Sequence, residues 1–401
     1  MHDSPAIFFA ALLIFIFGLV SRLSERSPIT APMFFMTTGV LVSPLGLNLF
    51  HLDIEATTTK VLAEITLVVI LFIDASMIHF TRIRETLAGI PARLLGIGLP
   101  LTMILGSLIA YWMFPAMNIW LVIMTALILS PTDAALGQAA VKSQHIPERI
   151  RESISIESGL NDGIALPLIL VCIAVLAEGQ SVLDGSGYWA NFMLSQLTLG
   201  PLVGGLVGLL GGKLVDKAAS LGWSDPAFQR LAAIALALMA YAFAELVHGN
   251  GFIAAFFAGL LLGTKTAVVR ERIQEFGEAE GQLLSLLVFL LVGLVMIPAS
   301  VPYWDWSMLA YAVLSLTVIR MLPVALCLIG SGLSPFTVAF LGWFGPRGIA
   351  SVLYVLIVAG ELDPEGYQEP LSLVVLTVLL STFLHGISAV PLANVFKQTK
   401  A

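Results

Sequence analysis

Residues 153–170 read SISIESGLNDGIALPLIL, an apolar run that carries Glu157, Asn161 and Asp162. Residues 127–140, LILSPTDAALGQAA, hold another such carboxylate, Asp133, directly after Ser130-Pro131-Thr132. These stretches decide the reading, because a carboxylate deep in a bilayer is expensive and marks an ion or proton pathway by default. The rest of the chain supports a bilayer setting. Its 401 residues are 58% hydrophobic and 11% charged, with a mean hydropathy of +0.97. That is more apolar surface than one water-soluble core can hide.

Working outward, windows long enough to cross about 30 Å of hydrocarbon fall near 5–21, 31–47, 57–79, 86–113, 117–141, 151–177, 188–217, 226–247, 251–265, 280–298, 306–330, 335–359 and 370–395. They make thirteen spans, of which the ninth is short enough to be re-entrant or tilted. The basic residues test that count. Arg22 and Arg26, Arg82, Arg84 and Arg93, Lys142, Arg149 and Arg151, Lys213, Lys217 and Arg230, Lys265, Arg270 and Arg272, and finally Lys397 and Lys400 cluster in alternate connections. The intervening loops carry almost none, and one of them, ELDPEGYQEP at 361–370, is acidic. The positive-inside rule then places the N-terminus outside and the C-terminus in the cytoplasm.

Other function classes find little support. A net charge of −7 and a pI near 5.4, with no basic tract, argue against nucleic-acid binding. Cys172 and Cys327 lie in apolar runs without metal-ligand spacing. The six histidines are scattered and read as structural groups at helix ends. The N-terminal apolar run lacks a basic leader and is expected to be a retained helix. No soluble domain is expected.

Span five is interrupted by Pro131, which removes a helix donor and collides with the preceding turn. Span twelve contains GWFGPRGIAS, 342–351, where Gly345, Pro346 and Gly348 create another break. The two lie seven helices apart, and an odd offset inverts orientation. Two inverted-topology six-helix repeats, about 5–177 and 226–395, are therefore expected, each with one interrupted helix, the usual place of a transporter's binding site. Half-helix ends carry partial positive charge at N-termini and negative at C-termini. Asp133 is suited to offset the former and Arg347 the latter.

On span six, Ser158 and Asp162 are four residues apart and share a face, as do Glu157 and Asn161. Asp162 lies roughly 16 Å along the span at 1.5 Å per residue, near the midplane. A desolvated carboxylate there can hold either a proton or a monovalent cation coordinated by oxygen. Ser158 and carbonyls freed near Thr132 can add oxygens. Buried Glu157 needs a partner, for which Arg320 in SLTVIRMLPV, 315–324, leads over Arg347. Asp74, in LVVILFIDASMI at 67–78, either reaches toward the ion site or lines a cytoplasmic funnel. Glu64 and Glu245, the latter near His248, read as interface polar groups.

SPTDAA (130–135), ESGLNDGIALP (157–167), HGNGFIAAFFAGLLLG (248–263) and GWFGPRGIAS (342–351), in this order, resemble the cation:proton antiporter-1 family of sodium/proton exchangers. The resemblance spans nearly the whole chain, and ESGLNDG is its most specific element. It implies a thirteen-helix fold in which the interrupted helices five and twelve cross. A core of helices 4–6 and 11–13 would rock against a dimerisation domain of helices 1–3 and 7–10, in a homodimer. It further implies that Asp162 binds ion and proton, that Ser158 and Thr132 are ligands, and that Asn161 and Asp133 hold the unwound helix. Glu157 and Arg320 correspond to the core ion pair, and Arg347 to the arginine of the second break. Asp74 stands where relatives often carry a glutamate, and its shorter side chain implies a water between it and the ion. The motif reads Thr-Asp-Ala where many members have Thr-Asp-Pro.

With Asn161 beside Asp162, where electrogenic relatives carry two aspartates, one proton exchanges for one cation. Electroneutral Na⁺ (or Li⁺) for H⁺ exchange in a prokaryotic inner or plasma membrane is the expectation, with no cofactor and no enzymatic activity. A K⁺/H⁺ antiporter would use the same scaffold. An intramembrane aspartyl enzyme lacks its GxGD-type motif here and would leave the interrupted helices unexplained, and the midplane carboxylate on a broken helix favours alternating access over a channel.

Overall fold

The computed structural model describes residues 4–24, 27, 29–50, 57–77, 89–133, 136, 143, 145–178, 188–262, 267–362 and 366–398. Of the basic loop residues, Arg26, Arg82, Arg84, Lys142, Lys265 and Lys400 lie outside them. Among the described residues the chain is helical, without strands.

The helices are α1 (Ser4–Ser24), α2 (Ala31–Val42), α3 (Thr57–Met77), α4 (Ile90–Met113), α5 (Ile119–Ile128), α6 (Glu148–Glu178), α7 (Tyr188–Ser220), α8 (Pro226–Leu246) and α9 (Gly251–Leu262). There follow α10 (Ala267–Leu291, continuing through Val292–Met296 to Ser300), α11 (Trp306–Cys327), α12 (Pro335–Trp343), α13 (Ile349–Glu361) and α14 (Gln368–Gln398). Seven of them, α4, α6, α7, α8, α10, α11 and α14, are long and apolar enough to cross a bilayer. Shorter apolar helices are Phe8–Arg22 within α1, and α2, α5, α9 and α13.

Helix starts follow side chains that accept the first orphan N–H groups. Thr30 accepts from Met33 N–H, Asn118 from Trp120, Asp225 from Ala227, Asp305 from Met308 and Ser334 from Thr337. Pro226 and Pro335 follow their caps directly, where a missing N–H costs nothing.

The chain divides into two compact units. The first comprises residues 1–56, 93–158 and 285–401, and holds α1, α2, α5, α11–α14, most of α4, the start of α6 and the end of α10. Both α4 and α10 contain a π-helical turn, Leu94–Gly98 and Val292–Met296. The second turn meets α2 at a crossing without side chains: a Cβ on Gly39 would lie 2.5 Å from Leu290 O, and one on Gly293 would strike Met36 O. α11 is broken at Thr317, whose φ of −114° and ψ of −93° leave the helical region. Span twelve is divided into α12 and α13 by residues 344–348, as the glycines and Pro346 predict.

The second unit comprises residues 57–92 and 159–284, with α3, α7, α8, α9, the remainder of α6 and the start of α10. Its centre is α9, buried along almost its whole length. Gly204 and Gly208 of α7 lie directly against the backbone of Ala254 and Ala258, and Gly259 against Phe72 of α3. Small residues are what allow membrane helices to pack so closely. α9 starts where Glu245 Oε1 accepts the Gly251 N–H (2.8 Å) and Asn250 Oδ1 accepts that of Ile253 (2.9 Å). Glu245 is thus a helix cap, more specific than an interface polar group.

Candidate functional site

The site is built on two stretches of backbone that have left the helix. α5 ends at Ile128, and Ser130, Pro131, Thr132 and Asp133 follow without helical structure. Residues 344–348 separate α12 from α13. Within the first unit these segments meet: the Asp133 N–H donates to Pro346 O at 2.8 Å. A broken helix inside a bilayer needs partners for its freed groups, since no water competes for them.

Several of those partners are residues that the sequence singles out. Arg347 is fully buried, and its Nη1 donates to Ser130 O (2.7 Å) and Pro131 O (3.0 Å), carbonyls beyond the C-terminal end of α5. Asp133 Oδ2 accepts the Ile349 N–H at 2.9 Å, at the N-terminus of α13. Positive charge therefore sits at a helix C-terminus and negative at an N-terminus, each favoured by the helix dipole. The Ser158 hydroxyl donates to Thr132 O at 2.7 Å, tying α6 to the unwound segment. Glu157 and Arg320 form a buried ion pair with Oε1 and Nη2 2.6 Å apart. Arg320, and not Arg347, is the partner of Glu157.

Two glycines leave room for this network. A Cβ on Gly345 would lie 2.5 Å from Arg320 Nε and 3.0 Å from a Thr132 methyl, and one on Gly348 would collide with the Asp133 carboxylate. The break at 344–348 therefore carries glycines where side chains approach its backbone closely.

Asn161 and Asp162 continue along α6 in the second unit, Asn161 buried and Asp162 half-buried. Asp162 lies one helical turn beyond Ser158 on the same face. Asp74 lies on α3, exposed between the buried Ile73 and Ala75.

Three contributors have no place in the sequence reading. The Ser351 hydroxyl of α13 donates to Ile128 O at 2.8 Å, at the end of α5. Ser381 Oγ accepts the Arg347 N–H at 2.7 Å. His385 is buried in the middle of α14, with Nε2 2.8 Å from Trp343 O and its ring stacked on Trp343 at 4.8 Å. Histidines at helix ends are the wrong description for this one. The signal was present as the polar pair four apart in STFLHG, 381–386, within an apolar run.

Comparisons agree with this architecture. The family model described as "Sodium/hydrogen exchanger, transmembrane" matches residues 10–395. A protein of Alkalimonas amylolytica named K(+)/H(+) antiporter NhaP is 29% identical over 394 residues, covering 96% of this chain and 66% of that protein. One named K(+)/H(+) antiporter NhaP2, from Shewanella sp. (strain ANA-3), is 28% identical over 401 residues, covering 98% and 68%. The chain thus spans about two thirds of the length of these relatives. The solved structure of the sodium proton antiporter MjNhaP1 from Methanocaldococcus jannaschii at pH 8 superimposes with a TM-score of 0.76, at 18% identity and 98–99% coverage of both chains. That likeness shows the fold. With the family model spanning nearly all of it, the chain belongs to the transmembrane sodium/hydrogen exchanger family, a family of cation/proton antiporters whose substrates are carried ions, and not to a family of enzymes.

Proposed function

We propose that this protein exchanges Na⁺ (or Li⁺) for H⁺ electroneutrally by alternating access, with cation and proton competing for Asp162. The observation that carries this reading is how the neighbouring carboxylates are used. Glu157 is paired with Arg320, and Asp133 holds the N-terminus of α13. Both have structural work to do, so the exchanging carboxylate is Asp162, whose neighbour Asn161 is an amide and adds no charge. One titrating group gives one proton per monovalent cation. Ser158 and Thr132 supply ligand oxygens beside Asp162, and Asp133 shapes the field there. Asn161, Glu157, Arg320 and Arg347 hold the framework, and Asp74 reaches the ion through a water.

We further read the fold as thirteen transmembrane helices in two inverted repeats, near 5–177 and 226–395. Spans 4–6 and 11–13, which are α4–α6 and α11–α14, form the moving core, and spans 1–3 and 7–10 a dimerisation domain. The protein is then a homodimer in a prokaryotic inner membrane, N-terminus outside and C-terminus cytoplasmic. The prokaryotic sources of the relatives at 28–29% identity and the alternation of basic loops support this reading.

A second reading rests on a specific finding: the relatives just described carry the name K(+)/H(+) antiporter. Potassium in place of sodium leaves the mechanism unchanged. Proton movement in proteoliposomes after addition of Na⁺, Li⁺ or K⁺, with the voltage clamped or free, separates the readings. A sodium or lithium response that ignores the clamp supports the first, and a response to potassium alone supports the second. No cation response in folded protein would sink both.

A further inference from the structure

The break between α12 and α13 is held at both ends by one turn of α14. At its start, Trp343 O lies 2.8 Å from His385 Nε2. Toward its end, the Arg347 N–H donates to Ser381 Oγ at 2.7 Å. Ser381 and His385 are four residues apart, so the same face of α14 presents both, and both are fully buried. The Trp343 ring reinforces the contact by stacking on His385 and donating from Nε1 to Ser388 Oγ at 2.8 Å.

From this geometry we propose that Ser381 and His385 are positioning residues that staple segment 343–347, and so aim the Arg347 guanidinium at the carbonyls of Ser130 and Pro131. The role rests on the reading of Arg347 given above. A carbonyl only accepts, so Nε2 carries a proton and donates to Trp343 O. Nδ1 lies 2.9 Å from Ser381 O and 3.3 Å from Ser381 Oγ. In a neutral ring it accepts from the Ser381 hydroxyl, and in a protonated ring it donates to the Ser381 carbonyl. The staple is therefore intact in either charge state. The charged groups on the elements that build the site are Arg347 in the break, Arg320 on α11, Glu157 on α6 and Asp133 after α5. α2 and α5 carry none.

Glutamine reproduces the essential groups of this ring, an N–H donor at its end and an acceptor behind it, without a proton to exchange. His385→Gln is therefore expected to keep cation-driven proton movement within about twofold of wild type, with an unshifted pH profile. His385→Leu and Ser381→Ala each leave a buried backbone group unsatisfied, and are expected to lower the maximal rate at least about tenfold. Hydrogen exchange of peptides covering residues 344–349 provides a readout independent of transport. It should accelerate at least about tenfold in His385→Leu and Ser381→Ala and stay unchanged in His385→Gln. Should His385→Leu fail to fold, Ser381→Ala and His385→Gln still decide. Wild-type exchange and rates in Ser381→Ala, equal loss in Gln and Leu variants, or a pH profile displaced by His385→Gln would overturn the proposal. A wild-type protein that moves no protons, yet shows the expected exchange pattern, would overturn the antiport reading and support the staple.

Discussion

The two units hold their backbones in opposite ways. In the first, broken segments are held by side chains: Arg347 on Ser130 and Pro131, Asp133 on Ile349, Ser158 on Thr132, Ser381 on Arg347. In the second, the unbroken α9 is held by the absence of side chains, with Gly204, Gly208 and Gly259 lying against neighbouring backbone. Continuous helices satisfy their own hydrogen bonds and need only close packing in a bilayer. Interrupted ones must borrow donors and acceptors, and those borrowed groups are polar or charged. In the first unit the buried Arg347 and the Asp133 carboxylate sit where helices are interrupted and hold the freed backbone groups.

The largest effect that tests this contrast should come from Glu157→Ala. It would leave the fully buried Arg320 without its carboxylate, at a cost of about 3–5 kcal/mol. Thermal unfolding in detergent measures it. Replacing both partners, as Glu157→Leu with Arg320→Leu, should cost less than the sum of the single changes, because the loss lies in the orphaned charge. An additive result would mean that the pair is not coupled.

In the second unit, Gly204→Ala is expected to cost about 1–3 kcal/mol, because the new methyl collides with Ala254 O and α7 and α9 must separate. The same change at Gly18 of α1, where nothing lies within 4 Å, should be neutral or stabilising by up to about 1 kcal/mol. If both behave alike, close glycine packing is not what holds α9.

The smallest effect belongs to a surface cap. Asp305 accepts the Met308 N–H, which holds its carboxyl below the ordinary carboxylate range, with a lesser contribution from Ser307. Asp305→Ala should cost about 1 kcal/mol. A depressed folded pKa means that this stabilisation is complete above the unfolded value of about 3.9 and is lost as pH falls through the lower folded value. Asp305→Asn should keep most of the cap and remove that acid dependence. Unfolding curves at pH 7 and pH 3 check both statements.

Much of the first unit's network was legible in the sequence, because its signals are chemically loud. Proline and glycine in an apolar run mark a break, and Asp133, Arg347, Glu157 and Arg320 stand out against hydrocarbon. The quieter features were hidden for physical reasons. The π-helical turns at Leu94–Gly98 and Val292–Met296 leave composition unchanged. The break at Thr317 lies six residues before Pro323, farther than a proline's own clash reaches. Ser381 and His385 look like any polar residues on a long helix until the break beside them shows what they satisfy. The closeness of Gly204 to Ala254 depends on a partner 50 residues away, which hydrophobic periodicity alone does not reveal.

The most direct test of the central claim is the Na⁺ dependence of proton movement at several pH values, in wild type and Asp162→Asn. Competition at one carboxylate predicts that the apparent KM for Na⁺ rises about tenfold for each pH unit below the site's pKa while the maximal rate holds. The variant should show no cation-driven signal. A KM indifferent to pH, or exchange surviving in Asp162→Asn, would contradict the account.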